Sequence, residues 1–124
     1  MAEDLPHRTP QEDWEEVLAL CRPPHRDGDE WTPTLWRLVQ TASQDPLLRT
    51  LYPWIAVGQL HVARTAEWLN KPDPYPSIAA AYGEFSVIAY PPGKGAVLLR
   101  TQNPAEAVAW TVNLIREEEF NKKP

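Results

Sequence analysis

Fourteen of the 124 residues are proline, about twice the usual frequency, and they fall between periodic segments rather than inside them. Proline has no backbone N–H and a fixed φ. Pro23-Pro24, the run Pro72, Pro74 and Pro76, and Pro91-Pro92 therefore exclude helix interiors and central strands at those places. Only five glycines are present, so the connections should be stiff. The chain is cut into short elements that must pack on one another to be stable.

Between these breaks the apolar period identifies each element. Thr9-Pro10-Gln11-Glu12 carries a cap, a proline for the first helical position and a glutamate for a capping box. Trp14, Val17, Leu18 and Cys21 follow on one helical face, and Pro23 ends the helix. An isolated helix of about twelve residues is marginal in water, so this stripe must dock, on its own chain or on a second copy. A second helix opens at Thr32 or Thr34, with Leu35, Trp36, Leu38, Val39 and Ala42 apolar. A short third one runs from Asp45-Pro46 through Leu47, Leu48 and Leu51 to Pro53.

From Trp54 the pattern alternates as strands do: Ile55 and Val57, Leu60 and Val62, then 78–81, 83–90 and 96–101. Residues 91–95 join the last two as a hairpin loop; Pro92-Gly93-Lys94-Gly95 lacks the strand–loop–helix setting and the hydroxyl residue of a phosphate loop. Asn103-Pro104-Ala105-Glu106 starts a final helix to about Glu117, apolar at Ala105, Val108, Ala109, Val112 and Ile115 and widened by Trp110 and Leu114. The expected fold is α+β: N-terminal helices, an antiparallel sheet of three to five strands, and a C-terminal helix packed on the sheet. The expected organisation is one domain over 1–124, with an acidic arm at 1–31, a core at 32–117 and a solvated tail at 118–124.

The net charge of −5 is uneven. Residues 1–30 hold nine acids and three arginines, which is −6 and leaves about +1 for the remainder. Phosphate binding needs a basic surface, so nucleic acid is not expected as a partner. No apolar run reaches the length of a membrane span and the start lacks a signal-peptide pattern, which predicts a cytoplasmic protein without a membrane partner. Cys21 is the single cysteine, and His7, His25 and His61 share no ligand spacing, so neither a metal nor a cofactor is expected.

Asp-Pro-Leu-Leu-Arg-Thr-Leu-Tyr-Pro-Trp at 45–54 and Asn-Pro-Ala-Glu-Ala-Val at 103–108, with a strand, an aromatic proline-bounded stretch and a hairpin between them, resemble a small domain family of unknown function. That family is common in actinomycetes and carries a natural-product biosynthesis label. The resemblance covers about 34–116 and leaves out the first helix. It implies a place in a biosynthetic pathway and no particular reaction. Where the family tends to have Ser-His-Gly, this chain has Ala56-Val57-Gly58; position 63 is alanine, and a histidine stands at 61.

The candidate site is the aromatic and polar set around the connection at 64–76: Tyr52, Trp54, His61, Arg64, Trp68, Tyr75 and Tyr82. Stiff loops bearing aromatic rings make low-entropy contact surfaces for a peptide or a partner protein. The same loop also reads as a lid folded over the sheet. His61 points away from the face that Leu60 and Val62 give to the core, either as a surface histidine or as a base with Tyr52, Arg64 or Glu67. Cys21 on an apolar stripe reads as packing, because nearby acids disfavour its thiolate. Three functions follow as expectations. The first is a non-catalytic accessory or binding protein of a biosynthetic pathway, with a homodimer through exchange of the N-terminal arm. The second is a small enzyme using His61. The third is an acidic immunity-type inhibitor whose residues 3–30 mimic a polyanion.

Overall fold

The computed structural model describes residues 8–67, 73–91 and 95–121. The element order is α1 (Pro10–Cys21), α2 (Thr32–Ala42), a 3-10 turn (Leu48–Thr50), β1 (Tyr52–Ala56), β2 (Gln59–Ala63), β3 (Ser77–Ala81), β4 (Glu84–Ile88), β5 (Val97–Thr101) and α3 (Pro104–Asn121). The five strands form one antiparallel sheet in the order β1-β2-β3-β4-β5, a plain meander. The α+β expectation and its upper strand number are thus met.

The local signals act as their chemistry demands. Thr9 and Glu12 form the reciprocal capping box at α1. Asp29 caps α2 through the backbone N–H groups of Trp31 and Thr32. Hydrogen bonding from Thr32 and then Trp31 holds its carboxyl below the usual range. Asp45 accepts from the N–H groups of Leu47 and Leu48, but the expected third helix is a single 3-10 turn because β1 already begins at Tyr52.

All three helices lie on one face of the sheet. Trp14, Val17 and Cys21 of α1, Leu35, Leu38 and Val39 of α2, and Val108, Val112 and Ile115 of α3 share one buried cluster with Leu60, Ile78, Phe85 and Val87 of the sheet. The α1 stripe therefore docks within its own chain, against β1, α2 and the 3-10 turn. The Trp14 indole donates to the Leu48 carbonyl at 3.1 Å. Cys21 is part of this packing, and burial pushes its thiol pKa up.

Several details differ from the sequence reading. β1 begins at Tyr52 and includes Pro53, which β1 tolerates as an edge strand because one backbone N–H there is not needed by the ladder. Val57 leaves the strand and occupies a turn. α3 continues past Glu117 to Asn121. Its buried face is Ala107, Val108, Thr111, Val112 and Ile115, so Ala105 and Ala109 are exposed and Trp110 is 43% exposed. The rotation is permitted because the Thr111 hydroxyl is satisfied by the Ala107 carbonyl.

Candidate functional site

The opposite face of the sheet is covered by no helix among the described residues. In a strand alternate residues face opposite ways, so the residues between the core positions Leu60, Ile78, Ala80, Phe85 and Val87 line this second face. They are mostly small or polar: Gln59, His61, Ser77, Ala79, Ala81 and Ser86. A small floor leaves room for a ligand, and aromatic rings wall it.

Trp54 and His61 are partners in the β1–β2 register. Their rings stack with centroids 5.2 Å apart and planes 11° from parallel. Burial pushes the His61 pKa below its ordinary value, against a smaller opposing effect of the Ala56 backbone. The imidazole is consequently neutral near pH 7. The stack borders a cavity of about 510 Å³ whose other walls include Val57, Gln59, Asp73, Tyr75, Pro76 and Tyr90. That volume lies within the range of small-ligand sites. The Ser77 hydroxyl donates to Gln59 Oε1 at 2.7 Å and orients the amide on the cavity wall.

The far wall is held by a polar clamp. The Arg64 backbone N–H donates to Asp73 Oδ2 at 2.8 Å, and its guanidinium reaches Asp73 and Glu119 at 3.3 and 3.2 Å. The Tyr75 hydroxyl donates to Glu119 Oε2 at 2.7 Å. Burial, then the hydrogen bond and charge of Glu119, push the Tyr75 pKa strongly up, so the phenol stays protonated. The sequence places Glu119 in a solvated tail. It is instead a half-buried anchor on α3, and the sequence signal for it, three glutamates in a row, points to solvent.

Of the sequence candidates, Trp54, His61 and Tyr75 meet at this one cavity. Tyr52 and Arg64 lie beside a neighbouring cleft with Arg8 and Glu67; the Tyr52 hydroxyl donates to the Arg8 carbonyl. None of the three proposed partners of His61, Tyr52, Arg64 or Glu67, lines its cavity. Tyr82 sits elsewhere, in the β3–β4 turn against Trp31. Trp68 and Lys94 lie outside the described residues. Gln59, Asp73 and Tyr90 were not singled out by sequence, since nothing in their local pattern marks a wall residue.

A model of a protein family described as "Family of unknown function (DUF6193)" matches residues 9–117. The match includes α1, which the sequence resemblance left out. Neither the curated proteins nor the solved structures give a match.

Proposed function

We propose that this chain, which belongs to the DUF6193 family, is a non-catalytic binding protein that takes an extended peptide or a segment of a partner protein on the uncovered face of its sheet. The observation that carries this reading is the Trp54–His61 stack at the mouth of a preformed cavity. A neutral imidazole on an indole is a flat, rigid platform for an aromatic ring or a peptide plane. The Gln59 amide offers hydrogen bonding beside it, and few side chains must be ordered on binding. The resemblance of 45–54 and 103–108 supports an accessory role in a bacterial natural-product pathway, in the cytoplasm. The homodimer expected from the six tryptophans, with arm exchange as its route, gains no support from α1, which docks on its own chain.

The enzyme reading is weaker because His61 stacks on an aromatic ring while its proposed partners face another cleft. Nuclear magnetic resonance of the ¹⁵N-labelled protein tests the proposal. Acetylated, amidated dipeptides of phenylalanine or tyrosine should shift the Trp54 indole signal and remain chemically unchanged. His61→Gln should weaken this binding several-fold without abolishing it. A Trp54 signal that stays still at millimolar peptide, or turnover of a peptide that His61→Gln abolishes, overturns the proposal.

A further inference from the structure

Three segments meet beside the Trp54–His61 cavity, on the same face of the sheet. They are Asp29–Trp31 ahead of α2, the Val57-Gly58 turn and the Tyr82-Gly83 turn. The Tyr82 N–H donates to the Glu30 carbonyl at 3.0 Å, and the Ala80 N–H to the Gly58 carbonyl at 3.1 Å. The Trp31 ring lies on Gly58, where a Cβ would stand 2.9 Å from the ring, and its centroid is 5.9 Å from that of Tyr82. The group is held by the backbone before any ligand arrives.

Both turns have positive φ at both central residues: 52° and 70° for Val57 and Gly58, 55° and 78° for Tyr82 and Gly83. Such turns favour asparagine, aspartate or glycine in their first position. Here that position holds a valine and a tyrosine, each at a backbone cost, and each turned to solvent: Val57 is 92% exposed, Tyr82 70% and Trp31 49%. Trp31 and Tyr82 are large rings exposed side by side, and Tyr82 stands on strained backbone. Residues of this kind cluster at contact surfaces.

A cleft of about 540 Å³ opens beside them, with Trp31 and Tyr82 as walls, Ala79, Ala81 and Ser86 as floor and the Glu84 side chain at its edge. Glu84 and the neighbouring Glu30 are exposed, and neither makes an ion pair among the described residues. Arg100 lies one strand further on, opposite Ser86. This cleft adjoins the Trp54–His61 cavity: Gln59 lines one, Ala79 the other, and the two are register partners.

We propose that Trp31 and Tyr82 form a second subsite, which takes an apolar side chain that has a lysine or arginine next to it in an extended peptide. The proposal rests on the peptide-binding reading above and names its ligand class more closely. The apolar residue fills the cleft over Ala79 and Ala81. The cation faces Glu84 and Glu30, and that charge complementarity selects against an acidic segment. A second copy of this chain is disfavoured as occupant, because it would bring its own Glu30 and Glu84 to the same place.

The test uses the full chain and two acetylated, amidated tetrapeptides, lysine-leucine-tryptophan-lysine and the same with glutamate for lysine. The lysine peptide should shift the Trp31 indole and the Tyr82 amide, and the effect should fade with salt. The glutamate peptide should bind about tenfold more weakly or less, and Glu84→Lys should reverse the order. Tyr82→Asn suits its turn, so this variant should melt at the same or a higher temperature while losing about tenfold in affinity. Unchanged affinity in that variant, or equal binding of both tetrapeptides, overturns the subsite. Shifts at Trp54 alone overturn this inference and leave the first cavity standing. Shifts at Trp31 alone support the subsite and overturn the first cavity.

Discussion

Val57 shows how a single residue can set stability against use. A β-branched side chain at φ 52° crowds its own backbone. Val57→Asn should stabilise the folded chain by about 1 kcal/mol, from the range of 1–3 kcal/mol for such strain; a urea titration measures it. Gly58 next to it has no such freedom. Gly58→Ala adds a left-handed alanine, about 1–2 kcal/mol, and drives a methyl into the Trp31 ring. His61 acts through pH. Its folded pKa lies below its ordinary value of 6.5 because burial disfavours the charged ring. Above the unfolded pKa both states are neutral and His61 has no effect on stability. As pH falls below it the unfolded chain takes up the proton first, so stability declines until the folded pKa is passed. His61→Gln should remove that part of the acid-side decline, read as a smaller difference between urea midpoints at about pH 7.5 and about pH 5. The facing of His61 was legible from sequence because a period of two fixes it once Leu60 and Val62 are given to the core. The stack on Trp54 was not, because it depends on register, and register depends on a turn whose valine gives no turn signal.

At the scale of elements, α1 is where sequence and structure agree most closely. A capping box, a proline at the first helical position and a four-residue stripe each point to the same helix, and agreement between local signals of this kind specifies an element strongly. Its docking partner was legible only as a requirement. The stripe had to be covered, but the choice between its own chain and another was set by space on the sheet left by α2 and α3. Trp14→Ala should cost about 3–5 kcal/mol, since it opens a cavity and leaves the Leu48 carbonyl without its indole donor. Trp14→Phe should keep most of the packing and expose the hydrogen-bond part alone, about 1 kcal/mol. Equal losses for the two variants in calorimetry would show that the hydrogen bond dominates. For α3 the stripe is right at Val108, Val112 and Ile115, while Ala107 and Thr111 are buried in place of Ala105 and Ala109. Alanines at 105, 107 and 109 satisfy either phase, and the buried Thr111 looks polar until its bond to the Ala107 carbonyl is known.

Among the described residues the fold has two layers, with three helices on one side of a meander and a floor that no helix covers on the other. Its two layers are tied across the edge of the site by the clamp of Arg64, Asp73, Tyr75 and Glu119. The clamp joins the end of β2, the approach to β3 and the last turns of α3, so residues far apart in sequence set the shape of the cavity wall. Ending the chain after Glu117 would remove Glu119 and leave a buried phenol without that acceptor, a loss of about 1–3 kcal/mol. A solvated tail could be removed at no cost. Glu119→Gln separates charge from contact. The folded Tyr75 pKa lies far above its ordinary value of 10.0, so the stability it gives is complete below that pH. It is lost as pH rises beyond it, because the unfolded chain then releases the phenolic proton first. Glutamine removes the carboxylate that helps to raise Tyr75, so the alkaline decline should become shallower in Glu119→Gln, while the truncated chain starts from a lower midpoint at neutral pH. An alkaline titration of the three proteins by tyrosinate absorbance and by thermal melting reads both effects. Identical alkaline profiles for wild type and Glu119→Gln would mean that burial alone holds Tyr75 protonated and that the clamp contributes nothing to it.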